Sequence, residues 1–129
     1  EEYTDTNGAS VTLYVTYDEF SMLLTGDLGK EGEAEILKTG TTVDCDVLKA
    51  GHHGSDTSSS EAWLTAASPA LTLISCGEDN SYGHPHAGTL ERLRAAGSGI
   101  LVTMDWGALT VRSDGKNFRA EAFCPEEKE

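Results

Sequence analysis

Positive charge is scarce in this 129-residue sequence, with 9 Lys and Arg against 22 Asp and Glu and a formal net charge of -13. Such a surface repels polyanions, which excludes nucleic-acid binding through a basic face of the chain's own. Aromatic residues amount to 7% and hydrophobic residues to 38%, a lean supply for a packed core. They fall in patterned runs, which excludes a disordered chain. No apolar run approaches the roughly 20 residues of a membrane span and no signal peptide opens the sequence, so a soluble segment is expected. Cysteine is scarce too. Cys45, Cys76 and Cys124 are too scattered for a disulfide framework or a CxxC zinc site. Cys45 and Cys76 sit in apolar runs and read as small core residues, while the odd count leaves the redox compartment open. There is no Gly-rich phosphate loop and no GxSxG elbow, and Ser55, His53 and Asp56 lie too close along the chain to assemble a triad.

What is present reads as one α/β unit, with residues 1–9 as an irregular lead-in and residues 124–129 as an acidic tail. From Ser10, Val11, Leu13 and Val15 alternate with Thr12, Tyr14 and Thr16, the period of a half-buried strand. A turn at Asp18-Glu19 joins it to a strand over Phe20 to Leu24, making a hairpin. Glu31 to Lys38 reads as a helix, acidic at its start and basic at its end, stopped by Gly40. A third strand is predicted over Val43 to Ala50. Ser58 and Glu61 fit a capping box that opens a helix running to Pro69. Leu71 to Cys76 is apolar enough to be a strand buried on both faces. A polar loop, Gly77 to His86, leads into a helix carrying Leu90, Leu93 and Ala96, closed by Gly97. Strands over Ile100 to Met104, Leu109 to Arg112 and Phe118 to Phe123 follow, with a turn at Asp105-Trp106-Gly107 and a hairpin signal at Asp114-Gly115. Helices alternating with strands, and hairpins at both ends, predict a mixed sheet with flanking helices.

The residues that could carry chemistry share one topological position. Asp27, His52-His53 and the loop of His84 and His86 each follow an apolar strand, and in open α/β sheets ligands bind beyond the carboxyl ends of the strands. Asp27, after Gly26, reads either as a turn former or as an exposed carboxylate. The adjacent imidazoles of Gly51-His52-His53-Gly54-Ser55 read either as a solvated loop or as ligands for zinc, manganese or iron. All four histidines lie in two strand-end loops. His86 reads as a helix cap stiffened by Pro85, and His84 as a substrate contact or proton donor.

Taken in order, Leu23-Leu24-Thr25-Gly26-Asp27, Asp46-Val47-Leu48-Lys49-Ala50-Gly51-His52-His53-Gly54-Ser55 and Ser75-Cys76-Gly77 to Tyr82-Gly83-His84-Pro85-His86 form a recognisable series. It resembles the metallo-β-lactamase-like domain of ComEC-type DNA-internalisation competence proteins, from about Ser10 to Phe123. The resemblance implies the C-terminal half of an αβ/βα sandwich. It implies that Asp27 is a carboxylate bridging two divalent ions, manganese or zinc, and that His52, or His53 if the register shifts by one, is a ligand. It places His84 close to that centre in a catalytic role. The HxHxDH motif of the superfamily is absent here, so Asp27 and His52 do not make a catalytic site alone, which needs about three protein ligands per zinc.

The parent activity implied is hydrolysis of a DNA phosphodiester by a water activated between two ions, as a strand enters the cell. The implied partners are single- or double-stranded DNA and the N-terminal half of the domain. The implied location is the extracytoplasmic face of a membrane-anchored competence protein, or outside the cell. The acidic charge suits a second reading of the same residues, a secreted or cell-surface hydrolase of small phosphoesters, and the missing HxHxDH segment favours a third, a metal-free interaction or assembly domain. Half of a two-sheet sandwich would also bare an apolar sheet face, here Leu13, Leu73 and Val102, which predicts self-association as a homodimer.

Overall fold

A computed structural model describes residues 9–123; the first eight residues, which make up most of the lead-in, and the acidic tail with Cys124 lie outside the described residues. The elements in order are β1 (Leu13–Tyr17), β2 (Phe20–Leu24), α1 (Lys30–Lys38), β3 (Val47–Lys49), a tight turn at Gly51–Gly54, α2 (Glu61–Ala67), β4 (Leu71–Ile74), α3 (Ala87–Ala95), β5 (Gly99–Val102), α4 (Thr103–Trp106), β6 (Ala108–Ser113) and β7 (Phe118–Phe123).

The main sheet has five strands in the order β1-β2-β3-β4-β5. β1 pairs antiparallel with β2, and β2 to β5 run parallel. The sheet is therefore mixed and the class α/β, as the alternation of elements predicts. Strands laid down in sequence order, each joined by a right-handed crossover, put all their crossover helices on one face. Along that face Leu23, Leu48, Ile74 and Val102 meet Trp63 and Leu64 of α2 and Leu93 of α3 in one buried cluster.

The opposite face receives no crossover helix and is covered by the C-terminal hairpin. β6 and β7 form a separate two-stranded sheet rather than extending the main one. Leu109, Val111 and Phe118 pack there on Phe20, Val47 and Leu73. The Phe118 and Phe20 rings lie 5.7 Å apart, and the Glu19 and Phe20 amides both donate to the Gly115 carbonyl at the hairpin tip. This corrects the expectation of a bare face. Leu73 and Val102 are buried at 9% and 7% exposure, because the hairpin shields the first and the helices the second. Leu13 alone of the three is open, at 53%.

Other expectations shift at the edges of elements. β1 is exposed along its whole length rather than half-buried, because the hairpin cover stops at β2. The third strand is only Val47–Lys49. Val43 and Cys45 are buried, but the Cys45 amide donates to the Ala67 carbonyl instead of joining the ladder. β4 ends at Ile74, and the fifth strand ends at Val102, where Thr103–Trp106 turns helically. Ser60, not Ser58, caps α2, its hydroxyl accepting from the Trp63 amide at 3.2 Å. Ser58 is buried and donates instead to the Leu28 carbonyl at 2.6 Å.

Candidate functional site

Four parallel strands end on one rim, so the segments after β2, β3, β4 and β5 come together there. Asp27 follows the turn after β2, where Gly26 takes a left-handed φ of 57°. His52 and His53 follow β3 and both adopt left-handed backbone, with φ of 49° and 54°. Two successive non-glycine residues in that region cost about 1–2 kcal/mol each, so the surroundings must hold them. They are held by the His52 amide donating to the Gly26 carbonyl at 2.9 Å, by the Ser55 amide donating back to the His52 carbonyl at 3.0 Å, and by the His53 ring.

His53 Nδ1 lies 2.6 Å from the Ser75 carbonyl oxygen at the end of β4. A carbonyl only accepts, so Nδ1 carries the proton, and Nε2 of the neutral ring is left with its lone pair. That Nε2 lies 3.6 Å from Asp27 Oδ1. A lone pair facing a carboxylate calls for a cation between them, either a proton or a metal ion. Metal-ligating histidines are characteristically oriented by a second-nitrogen bond of this kind. His52 makes no such approach to Asp27. Its Nδ1 lies 3.3 Å from the Thr57 hydroxyl, and its ring centre is 6.4 Å from that of His53.

His84 sits at the centre of the imidazoles. Its ring centre lies 5.7 Å from that of His52, 6.3 Å from that of His53 and 4.8 Å from that of His86. Asn80 fixes its backbone, accepting from the His84 amide and donating to its carbonyl, both at 2.8 Å. Burial, followed by the neighbouring imidazoles of His86, His52 and His53, lowers the His84 pKa below the ordinary 6.5. Among the described residues neither of its ring nitrogens has a hydrogen-bond partner.

His86 is the opposite case. Its Nδ1 accepts from the Asp56 amide at 2.9 Å, so Nε2 is the nitrogen that donates to the Tyr82 carbonyl at 3.0 Å. Nδ1 thus ties the two loops together, and Nε2 braces the His86 loop within itself. His86 stands at the N-cap position of α3, as expected, but its side chain does not cap the helix. Gly54 allows this closeness. Its φ is 81°, and a Cβ there would sit 2.8 Å from Pro85 Cβ.

Lys49 also feels the Asp27 charge. Burial lowers its pKa and the Asp27 charge raises it, with burial the larger cause. Its ammonium donates to the Ala50 carbonyl at 3.0 Å.

Sequence reasoning missed the support beneath this rim. Glu33 of α1 is buried and accepts from the Ser59 and Ser60 amides at 2.6 and 2.9 Å, and Arg92 donates to the Ser59 and Ser58 carbonyls at 2.9 and 3.2 Å. Gly51 rests against this serine loop, since a Cβ there would come within 3.4 Å of Ser58 Cβ. The capping-box reading drew attention to these serines, but nothing local marked Glu33 or Arg92 as their partners.

Asp27, His52, His53 and His84 thus share the rim, with Asp27 and His53 as the pair in register. Among the described residues, no group of three or more His, Cys, Asp or Glu is placed to hold a metal ion. The described residues by themselves therefore do not make up a three-ligand metal centre.

Fold and rim define an α/β unit with a histidine-lined edge. No family model matches the chain. It is similar to ComE operon protein 3 of Bacillus subtilis (strain 168), 38% identical over 106 residues, which are 82% of this chain and 14% of that protein. It is similar to competence protein ComA of Neisseria gonorrhoeae, 42% identical over 106 residues, 81% of this chain and 15% of that protein. Recombination protein 2 of Haemophilus influenzae is 37% identical over 105 residues, 81% of this chain and 13% of that protein. These similarities support a competence-protein family for the chain, which spans about one seventh of the length of these relatives.

Proposed function

We propose that the chain is the C-terminal part of a metallo-β-lactamase-like phosphodiesterase unit within a competence protein, acting on DNA during uptake. The observation that carries this reading is the pairing of Asp27 with a His53 ring whose protonated nitrogen is tied to a carbonyl. That is the orientation a histidine takes as a metal ligand, and zinc or manganese suits the oxygen and nitrogen donors. The remaining ligands would come from outside these residues, in keeping with the greater length of the relatives. In this reading Asp27 and His53 contribute to the ion site, and His52 stands beside them. His84, with both ring nitrogens uncommitted, contacts the substrate or supplies a proton.

The test is made in a full-length competence protein carrying this segment. Asp27→Ala and His53→Ala should each remove stoichiometric Zn²⁺ or Mn²⁺, read by elemental analysis, and abolish cleavage of a single-stranded oligonucleotide. Metal content unchanged in both variants would sink the reading.

A further inference from the structure

The rim carries an aromatic ring, Tyr82, that neither the fold nor the proposed ion site uses. Tyr82 is 75% exposed, the most open of the described aromatic side chains. It is not a stray surface ring. It lies nearly parallel to His84, at 19° with ring centres 5.5 Å apart. Its carbonyl is held by His86 Nε2, and Asn80, two residues before it, clamps the loop to the Gly77 and His84 carbonyls. Among the described residues its hydroxyl has no hydrogen-bond partner. An amphipathic ring left this open in water, on a braced loop beside the imidazole cluster, is placed to receive another flat ring.

The charge of the chain narrows the ligand. At a net charge of -13, affinity for a nucleic acid cannot come from a row of phosphate contacts. Stacking on an aromatic ring needs no positive charge and tolerates any sequence, because every base has a π-face. A base can reach an isolated ring only if it is unpaired.

We infer that Tyr82 is a stacking platform for an unpaired nucleobase, which makes single-stranded rather than duplex DNA the ligand of this rim. The inference rests on the proposed action on DNA but needs neither metal nor cleavage. In that geometry the base extends the parallel pair of Tyr82 and His84.

The test is fluorescence anisotropy of the 129-residue chain with a short labelled oligothymidylate, with EDTA present so that no ion contributes. Tyr82→Ala should weaken binding by about 5- to 150-fold, the range of one lost base–aromatic stack. Tyr82→Phe should bind within about twofold of the wild type, because the ring is kept. A phosphate backbone of the same length without bases should bind weakly, and equally to all three proteins. Circular dichroism checks that Tyr82→Ala stays folded, as an exposed residue should. Equal affinity of Tyr82→Ala and wild type, preference of the wild type for duplex or for the base-free backbone, or no binding by the wild type would each overturn the inference. The metal analysis of Asp27→Ala and His53→Ala is read separately, so either idea can fail while the other stands.

Discussion

β1 and β3 flank the same strand, β2, and meet opposite fates. In β3, Val47 faces the C-terminal hairpin and Leu48 faces the helices, and both are fully buried. In β1, Leu13, Val15 and Tyr17 lie opposite Leu24, Met22 and Phe20 in the ladder, on the same sheet face as Val47, yet all three are exposed. Both strands carry good strand-forming residues. The difference lies in what lies above them, since the crossover helices and the C-terminal hairpin cover the sheet from β2 onward. A strand's sequence pattern chooses which residues share a face, and its neighbours choose whether that face is buried.

The comparison breaks most sharply at Leu48. Leu48→Ala removes a fully buried side chain from between the sheet and α2, and should cost about 2–5 kcal/mol in urea unfolding. A loss below about 1 kcal/mol would mean that β3 is not the covered strand described.

The helix layer over β3 is pinned by Glu33, which joins α1 to the first turn of α2. Gln at 33 can accept through only one of its two terminal atoms, leaving one buried amide unpaired. Glu33→Gln should therefore cost about 1–3 kcal/mol near neutral pH. Burial raises the Glu33 pKa above the ordinary 4.5, outweighing the lowering effect of the Ser60 and Ser59 amides. The folded state then binds this proton more tightly than the unfolded chain. The corresponding stability is fully present below pH 4.5 and is lost as pH rises through the raised value. The wild type should therefore lose stability relative to Glu33→Gln as the pH rises above 4.5, read from paired urea titrations. A difference that grows with pH would contradict the burial of this carboxylate.

The smallest effect is expected on β1. Leu13→Ser changes a side chain already half in water and should move stability by no more than about 0.5 kcal/mol. A larger loss would show that something covers β1 in solution, and sedimentation of both proteins would reveal a second copy.

Much of the architecture is legible in the sequence. The alternating pattern before Asp18, the acidic start and basic end of α1, and the Asp114-Gly115 turn each specify an element through contacts a few residues long. The rim is legible as well, because placing Asp27, His52-His53 and His84 after strands needs only the order of elements. The capping serine was misplaced by two residues because Ser58, Ser59 and Ser60 all carry the same hydroxyl. Only distant partners distinguish them: Leu28 for Ser58, Glu33 for the Ser59 and Ser60 amides, and Trp63 for the Ser60 side chain.

By itself the sequence determined that the chain is α/β with a mixed sheet and flanking helices, and that its four histidines gather in two strand-end loops. These properties rest on periodicity and turn chemistry, which act locally. Only the tertiary structure decided that His53 faces Asp27 while His52 turns to Thr57, that His86 is committed at both nitrogens while His84 is free, and that β1 lies open beside a covered β3. Ring direction and burial depend on which distant atoms arrive alongside, and no short stretch of sequence contains that information.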